Sequence, residues 1–162
     1  MILVADASAL IALATCDSLM LLEEIFGNVF VPDAVYAEVT ELDKPQSTRL
    51  RSYLQGKVRE VDMKNFVYLD AFADVGETQA MLLYKELDAD YLLIDDQRGR
   101  KVAKINNIKT IGSMGVLLQA KRAGLIPCVA PLLEKIAASP VFMSESLISI
   151  VLELANELPR RD

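Results

Sequence analysis

The chain has 162 residues, carries 17 Lys+Arg against 23 Asp+Glu for a formal charge of -6, and contains no histidine. Without histidine there is no Ser-His-Asp triad, no Cys-His pair, no His-bound zinc and no imidazole acid or base at neutral pH. Chemistry is left to carboxylates, Lys and Arg, hydroxyls and thiols, on a chain whose length suits one compact domain and whose 52% hydrophobic content argues against disorder.

In chain order, residues 1–5 read as a short buried strand ending at Asp6, and Ser8 is placed to cap the helix that follows. Cys16-Asp17-Ser18 breaks that helix, residues 19–26 start another, Gly27-Asn28 turns, and 29–31 form a second strand. Pro32 opens a helix over about 33–40. Residues 46–55 look helical, Gly56 ends them, and 58–61 suit an edge strand. Residues 62–75 read as loop plus a short helical piece. Gly76-Glu77 opens a helix through residue 87, with Ala80, Leu83, Tyr84 and Leu87 at helical spacing. Residues 91–94 are apolar throughout, as a strand buried on both faces should be. A helix follows over 98–105, then a strand over 108–111 and a helix over 112–123 that Gly124 terminates. Two more helices occupy 131–138 and, capped by Ser144, the stretch to about 158. In this last helix Leu147, Ile148, Val151 and Leu154 predict one apolar face, with Ile150 and Leu152 outside it. Strands alternating with helices predict an α/β domain with a mainly parallel sheet of about four to five short strands.

No apolar run approaches the ~20 residues that span a bilayer, and residues 1–6 lack the form of a signal peptide. Cys16 and Cys128 have no metal-like spacing and read as free thiols of a cytoplasmic protein. Charge is uneven. Residues 1–80 hold 6 basic and 13 acidic side chains, whereas residues 97–133 contain no acid and seven bases: Arg98, Arg100, Lys101, Lys104, Lys109, Lys121 and Arg122. Such a strip suits a phosphate backbone.

Ligands of open α/β sheets bind outside the carboxyl ends of the strands. Asp6 ends the first strand, Asp95 and Asp96 end the one at 91–94, and Glu77 begins a helix. Glu38 lies within a helix, and its spacing to Val35 and Leu42 places it on an apolar face, where an acid needs a partner. Singly, Asp6, Glu77, Asp95 and Asp96 are each explained as a helix cap or first-turn charge, and Glu38 as the partner of a nearby Arg or a residue at the border of the buried face. Gathered in one cleft, neighbours about 5 Å apart at an effective dielectric of about 20 repel by roughly 3 kcal/mol per pair. A cluster of that kind calls for a cation, and an all-oxygen set suits Mg²⁺ or Mn²⁺.

The ordered series Val4-Ala5-Asp6-Ala7-Ser8-Ala9-Leu10-Ile11, Glu38, Gly76-Glu77-Thr78-Gln79-Ala80 and Leu93-Ile94-Asp95-Asp96 resembles the PIN-domain superfamily. The likeness is closest to a group of prokaryotic PIN-like proteins. It continues through Arg98-Gly99-Arg100-Lys101-Val102-Ala103, Gly112-Ser113-Met114-Gly115-Val116-Leu117-Leu118, Lys121-Arg122-Ala123-Gly124-Leu125-Ile126 and Phe142-Met143-Ser144-Glu145. It implies a single PIN-like domain over 1–162, with a C-terminal helical extension over about 127–158. It also implies a Mg²⁺- or Mn²⁺-dependent ribonuclease. The metal and catalytic set would come from Asp6, Glu38, Glu77 and one of Asp95 and Asp96, with Ser8 as a water-holding hydroxyl. The substrate is then RNA, met by Arg98, Arg100, Lys101 and Lys104. Many PIN domains are the toxin half of VapBC-type pairs, so an antitoxin and a homodimer are expected partners. Two positions depart from the usual pattern. Glu77 stands where toxins carry Asp, and Ile94-Asp95-Asp96 stands for Thr-x-Asp; that register selects Asp96, whereas strand-end position selects Asp95.

The altered set motivates a second reading, a PIN-like RNA- or protein-binding module that does not cut. Phosphotransfer on a strand-end Asp ranks lower, since Ser8 stands where the Asp-x-Asp motif of haloacid-dehalogenase-type enzymes needs an acid. Dinucleotide binding lacks its Gly-x-Gly-x-x-Gly. Gly112-Ser113-Met114-Gly115 matches a Gly-x-x-Gly clamp but is explained by a strand-to-helix turn.

Overall fold

The computed structural model describes residues 1–63 and 74–158. In chain order the elements are β1 (Ile2–Ala5), α1 (Ala7–Thr15), α2 (Leu21–Phe26), β2 (Asn28–Pro32), α3 (Asp33–Val39), α4 (Ser47–Tyr53), β3 (Val58–Arg59), α5 (Val75–Glu86), β4 (Tyr91–Leu93), α6 (Gln97–Ile105), β5 (Thr110–Ile111), α7 (Ser113–Arg122), α8 (Ala130–Ala137) and α9 (Glu145–Leu154). The loop and short helical piece expected over 62–75 falls largely on residues 64–73, outside the described residues.

The five strands form one parallel sheet in the order β3-β2-β1-β4-β5. The expected edge strand is therefore an edge, reduced to two residues. β1 is the centre. Its Leu3, Val4 and Ala5 are wholly buried, as are Leu92 and Leu93 of β4, because helices cover both faces. Connections leaving β1 run toward β2, and those leaving β4 run toward β5. The order therefore reverses between β1 and β4, and the carboxyl ends of these two strands border the crevice where such sheets take ligands.

Two apolar clusters fill the faces. The larger joins α1, α2 and α7 through Leu10, Leu13, Leu22 and Leu117, and Leu133 and Ile136 of α8 complete it. The smaller sits under α5 and α6 and includes Ala80, Leu83, Leu92, Ile94 and Ala103. α1 carries Ala7, Ala9, Ala12 and Ala14 at buried positions, so small side chains let it lie close to its neighbours.

Three sequence expectations change. Asp6, not Ser8, holds the N-cap position of α1, and Ser8 lies exposed in the first turn, because the helix begins earlier than its serine suggests. α3 ends at Val39, so Leu42 does not continue its face and is 82% exposed. On α9, Val151 is buried with Ile148 and Leu152 beside it, whereas Leu147, Ile150 and Leu154 are exposed. The apolar stripe is thus rotated from the predicted one, since the helix packs on α7 along the side that also carries Ala155. Ser144 caps α9 as expected, its Oγ accepting from the Leu147 amide at 3.2 Å. Among the described residues no helix is long and apolar enough to cross a membrane.

Candidate active site

Asp6 is fixed through its backbone. Its amide donates to the Leu93 carbonyl at 2.8 Å, which extends the β1–β4 ladder by one residue and sets the side chain at the carboxyl end of both strands. The residue is 4% exposed, and its carboxyl makes no capping bond to α1. Burial pushes that carboxyl up to about 7; the Ala7 amide only partly offsets this, and the charges of Glu77, Asp74 and Glu38 add to it.

Glu77 arrives on the first turn of α5 and is 6% exposed. Asp74 and Glu77 close a capping box. The Glu77 amide donates to Asp74 Oδ1 at 2.7 Å, and the Asp74 amide donates to Glu77 Oε2 at 3.0 Å. Burial raises the Glu77 carboxyl, the Asp74 amide opposes the rise, and the charges of Asp74 and Asp96 reinforce it. Two glycines lie against these carboxyls, and at Gly99 the missing side chain permits the crowding. A Cβ on Gly76 would lie 3.4 Å from carboxylate oxygens of both Asp74 and Glu38, while a Cβ on Gly99 would lie 2.5 Å from Ile94 Cδ1 and 2.8 Å from Glu77 Oε1. α6 can therefore rest on the Glu77 carboxyl only because residue 99 has no side chain.

Glu38 comes from α3, half-buried, and α3 is tied to α5 by the Ala34 amide donating to Gln79 Oε1 at 3.1 Å. Burial and then the Asp74 charge raise its carboxyl, with Lys44 opposing. The Lys44 ammonium is otherwise engaged, donating to the Glu38 carbonyl at 3.0 Å and pairing with Glu41.

The two strand-end aspartates separate. Asp95 accepts from the Ser113 amide at 2.7 Å and from Ser113 Oγ at 2.6 Å, so both of its oxygens fasten β4 to the start of α7. Asp96 caps α6, accepting from the Gly99 amide at 3.4 Å, and faces Glu77. Asp6, Glu38, Glu77 and Asp96 thus share one electrostatic neighbourhood with Asp74, which the sequence reading did not single out. Its signal was the Asp-x-x-Glu capping pattern at residues 74–77 ahead of an apolar helix.

Among the described residues none of these five carboxylates forms an ion pair. Burial first, and the charge of neighbouring acids after it, raises three of them, and oxygen donors without a cation have the chemistry of a hard divalent ion's ligands. Among the described residues, no three Asp, Glu or Cys groups are already drawn into a metal-holding arrangement. The donor set fits such an ion in kind.

Of the basic strip, Arg98, Arg100, Lys101 and Lys104 are exposed on α6 and unpaired among the described residues. Arg100 and Lys101 line a cleft that also reaches Asp95 and Ser113; Arg98 and Lys104 do not. Lys121 is used structurally, bonded to Glu157 at 2.7 Å.

A family model described as DUF3368, PIN domain, matches residues 2–157, nearly the whole chain. No curated protein matches the chain.

Proposed function

The chain belongs to the PIN-domain family, a nuclease-type fold, and on that premise we propose that it is a Mg²⁺- or Mn²⁺-dependent ribonuclease acting on RNA phosphodiester bonds. The observation that carries this reading is the buried Asp6 carboxyl facing Glu38, Asp74 and Glu77 at the sheet's switch point, with no cationic side chain paired to any of them among the described residues. Asp6, Glu38, Glu77 and Asp96 would hold the ion. When bound, a divalent cation supplies an acidified water and positive charge against the phosphate oxygens.

The protein residues supply position and charge. The Asp6 amide bond to β4 fixes one donor, the capping box fixes a second, and Gly99 lets α6 bring Asp96 up beside them. Ser8, exposed in the first turn of α1, is suited to holding water. Arg98, Arg100, Lys101 and Lys104 raise the local concentration of a polyanion. Asp95 acts through Ser113 as a positioning group.

The test is cleavage of end-labelled RNA by the full chain with Mn²⁺, alongside calorimetric titration of the metal. Cleavage that EDTA stops and that Asp6→Asn or Asp96→Asn reduces at least ~100-fold, the scale of losing one charge-stabilising group, is expected, with Asp95→Asn reducing it less. Absence of both cleavage and Mn²⁺ binding would sink the reading. Binding of RNA without cleavage would favour the second reading, a PIN-like binding module, which the lack of a preformed metal-holding group among the described residues supports.

The proposal extends to a cytoplasmic toxin of a toxin–antitoxin pair that acts as a homodimer. Ile150 and Leu154, left exposed on α9, support a contact between copies. Arrested growth on induction, relieved by Asp6→Asn, and a dimer in sedimentation velocity are the expected results.

A further inference from the structure

We propose that the cleft beside the acidic group is a nucleotide subsite for single-stranded RNA, in which Arg100 and Lys101 take backbone phosphate and Phe142 stacks a base. The cleft has a volume of about 600 Å³, within the roughly 300–1,000 Å³ of clefts that enclose small ligands. α6 contributes Arg100 and Lys101, the turn into α7 contributes Gly112 and Ser113, and the segment before α9 contributes Phe142 and Met143.

Three observations converge on this ligand. First, the sign of the charge is right. Arg100 and Lys101 form no ion pair among the described residues, and Asp95, the acid among the described lining residues, has both oxygens occupied by Ser113. Second, the lining combines this charge with an unclaimed aromatic ring. Phe142 is 91% exposed, while its neighbours Val141 and Met143 pack on the core. A basic groove with an aromatic platform is the general solution for single strands, because every base offers a π-face and every linkage a negative charge. Third, the cleft adjoins the acidic group. Asp95 lines it, and the next residue, Asp96, faces Glu77. α6 has Gly99 on the Glu77 carboxyl and the next two residues, Arg100 and Lys101, in the cleft, so less than one helix turn lies between the two.

The subsite rests on the nuclease reading only in placing the neighbouring phosphate of the same strand at the acids. The experiment therefore measures binding apart from cleavage, by fluorescence anisotropy of a labelled single-stranded RNA oligonucleotide with the full chain in EDTA. Phe142→Ala is expected to weaken binding about tenfold, the loss of one base stack. Arg100→Ala with Lys101→Ala is expected to lower the slope of log K against log salt by about 1.4, two phosphates at about 0.7 each. The chain contains no tryptophan, so Phe142→Trp adds a single reporter; it should keep the affinity and be quenched by RNA.

Unchanged affinity in Phe142→Ala and an unchanged salt slope in the double variant would overturn the proposal. So would a wild-type dimer that Phe142→Ala dissociates, since the cleft would then be an interface between copies. Loss of cleavage in Asp96→Asn with no effect of the cleft variants would leave the nuclease reading standing without the subsite. RNA binding that depends on the cleft, in a chain that cuts nothing, would leave the subsite standing alone.

Discussion

Asp6 carries most of what the single residues can be asked to show. Its carboxyl titrates near 7 in the folded chain against an ordinary value of 3.8, so between those values the folded state holds the additional proton. Stability from this group is complete below about pH 4 and is lost as pH rises through about 7. Glu38 and Glu77 are raised as well and act with the same sign. In EDTA, the melting temperature should fall between about pH 4 and 7. Asp6→Asn should flatten that fall and stabilise the chain at pH 8 by on the order of 4 kcal/mol; an unaltered pH profile in the variant would contradict the burial and crowding of this carboxyl. Gly99 gives a second residue-scale prediction. An added methyl meets Ile94 and Glu77 well inside van der Waals distance, so Gly99→Ala should lose about 1–3 kcal/mol in a denaturant melt. Asp74 was legible only as the start of a capping pattern, not as a member of the acidic group, and the parting of Asp95 from Asp96 was not legible. Both depend on which helix start each aspartate reaches, and two adjacent acids at a strand end point in different directions for reasons that lie in the pleat and the next loop.

Among the elements, the C-terminal helices are held by one carboxylate. Glu157 lies just beyond α9, and its carboxylate accepts from the Val129 amide at 2.7 Å, the Ala130 amide at 2.8 Å and Lys121 Nζ at 2.7 Å. It therefore closes the start of α8 and the last turn of α7 at once. Burial would raise this carboxyl, but the bonds from Lys121, Val129 and Ala130 overcome it and hold it below the usual range. Glu157→Ala should remove about 2–3 kcal/mol, since it leaves backbone donors and an ammonium without an acceptor. Thermal melts at pH 7 check this, and because the folded carboxyl is lowered, the contribution of Glu157 should disappear as pH falls below its ordinary value of 4.5. Helix and strand order was readable from periodicity, since most runs of apolar residues are bounded by Gly, Pro or Asp. The facing of α9 was not. Leu, Ile and Val occupy so many of its positions that the sequence allows several stripes, and packing on α7 selects the one that includes the small Ala155.

For the molecule as a whole, cation binding and folding are linked. If the carboxylates take Mn²⁺ only when folded, saturation at about 100 times the dissociation constant should add about 2.7 kcal/mol. For a chain of this size that is a rise of about 5–10 °C in the melting temperature. Asp6→Asn should remove the rise while keeping the fold; a wild-type melting temperature indifferent to Mn²⁺ at pH 8 would count against a metal site. The α/β class and parallel sheet follow from the alternation of elements, and the family resemblance extends through the last helix, as the match over residues 2–157 shows. The sheet order has one more consequence. Its central strand is the first made, and its second neighbour, β4, arrives some ninety residues later. During synthesis Asp6 therefore waits at the rim of an incomplete sheet until Tyr91–Leu93 has emerged and taken its place. A chain interrupted before Tyr91–Leu93 has no such sheet end, so the acids of β1, α5 and the β4 end come together only once β4 has been made and paired.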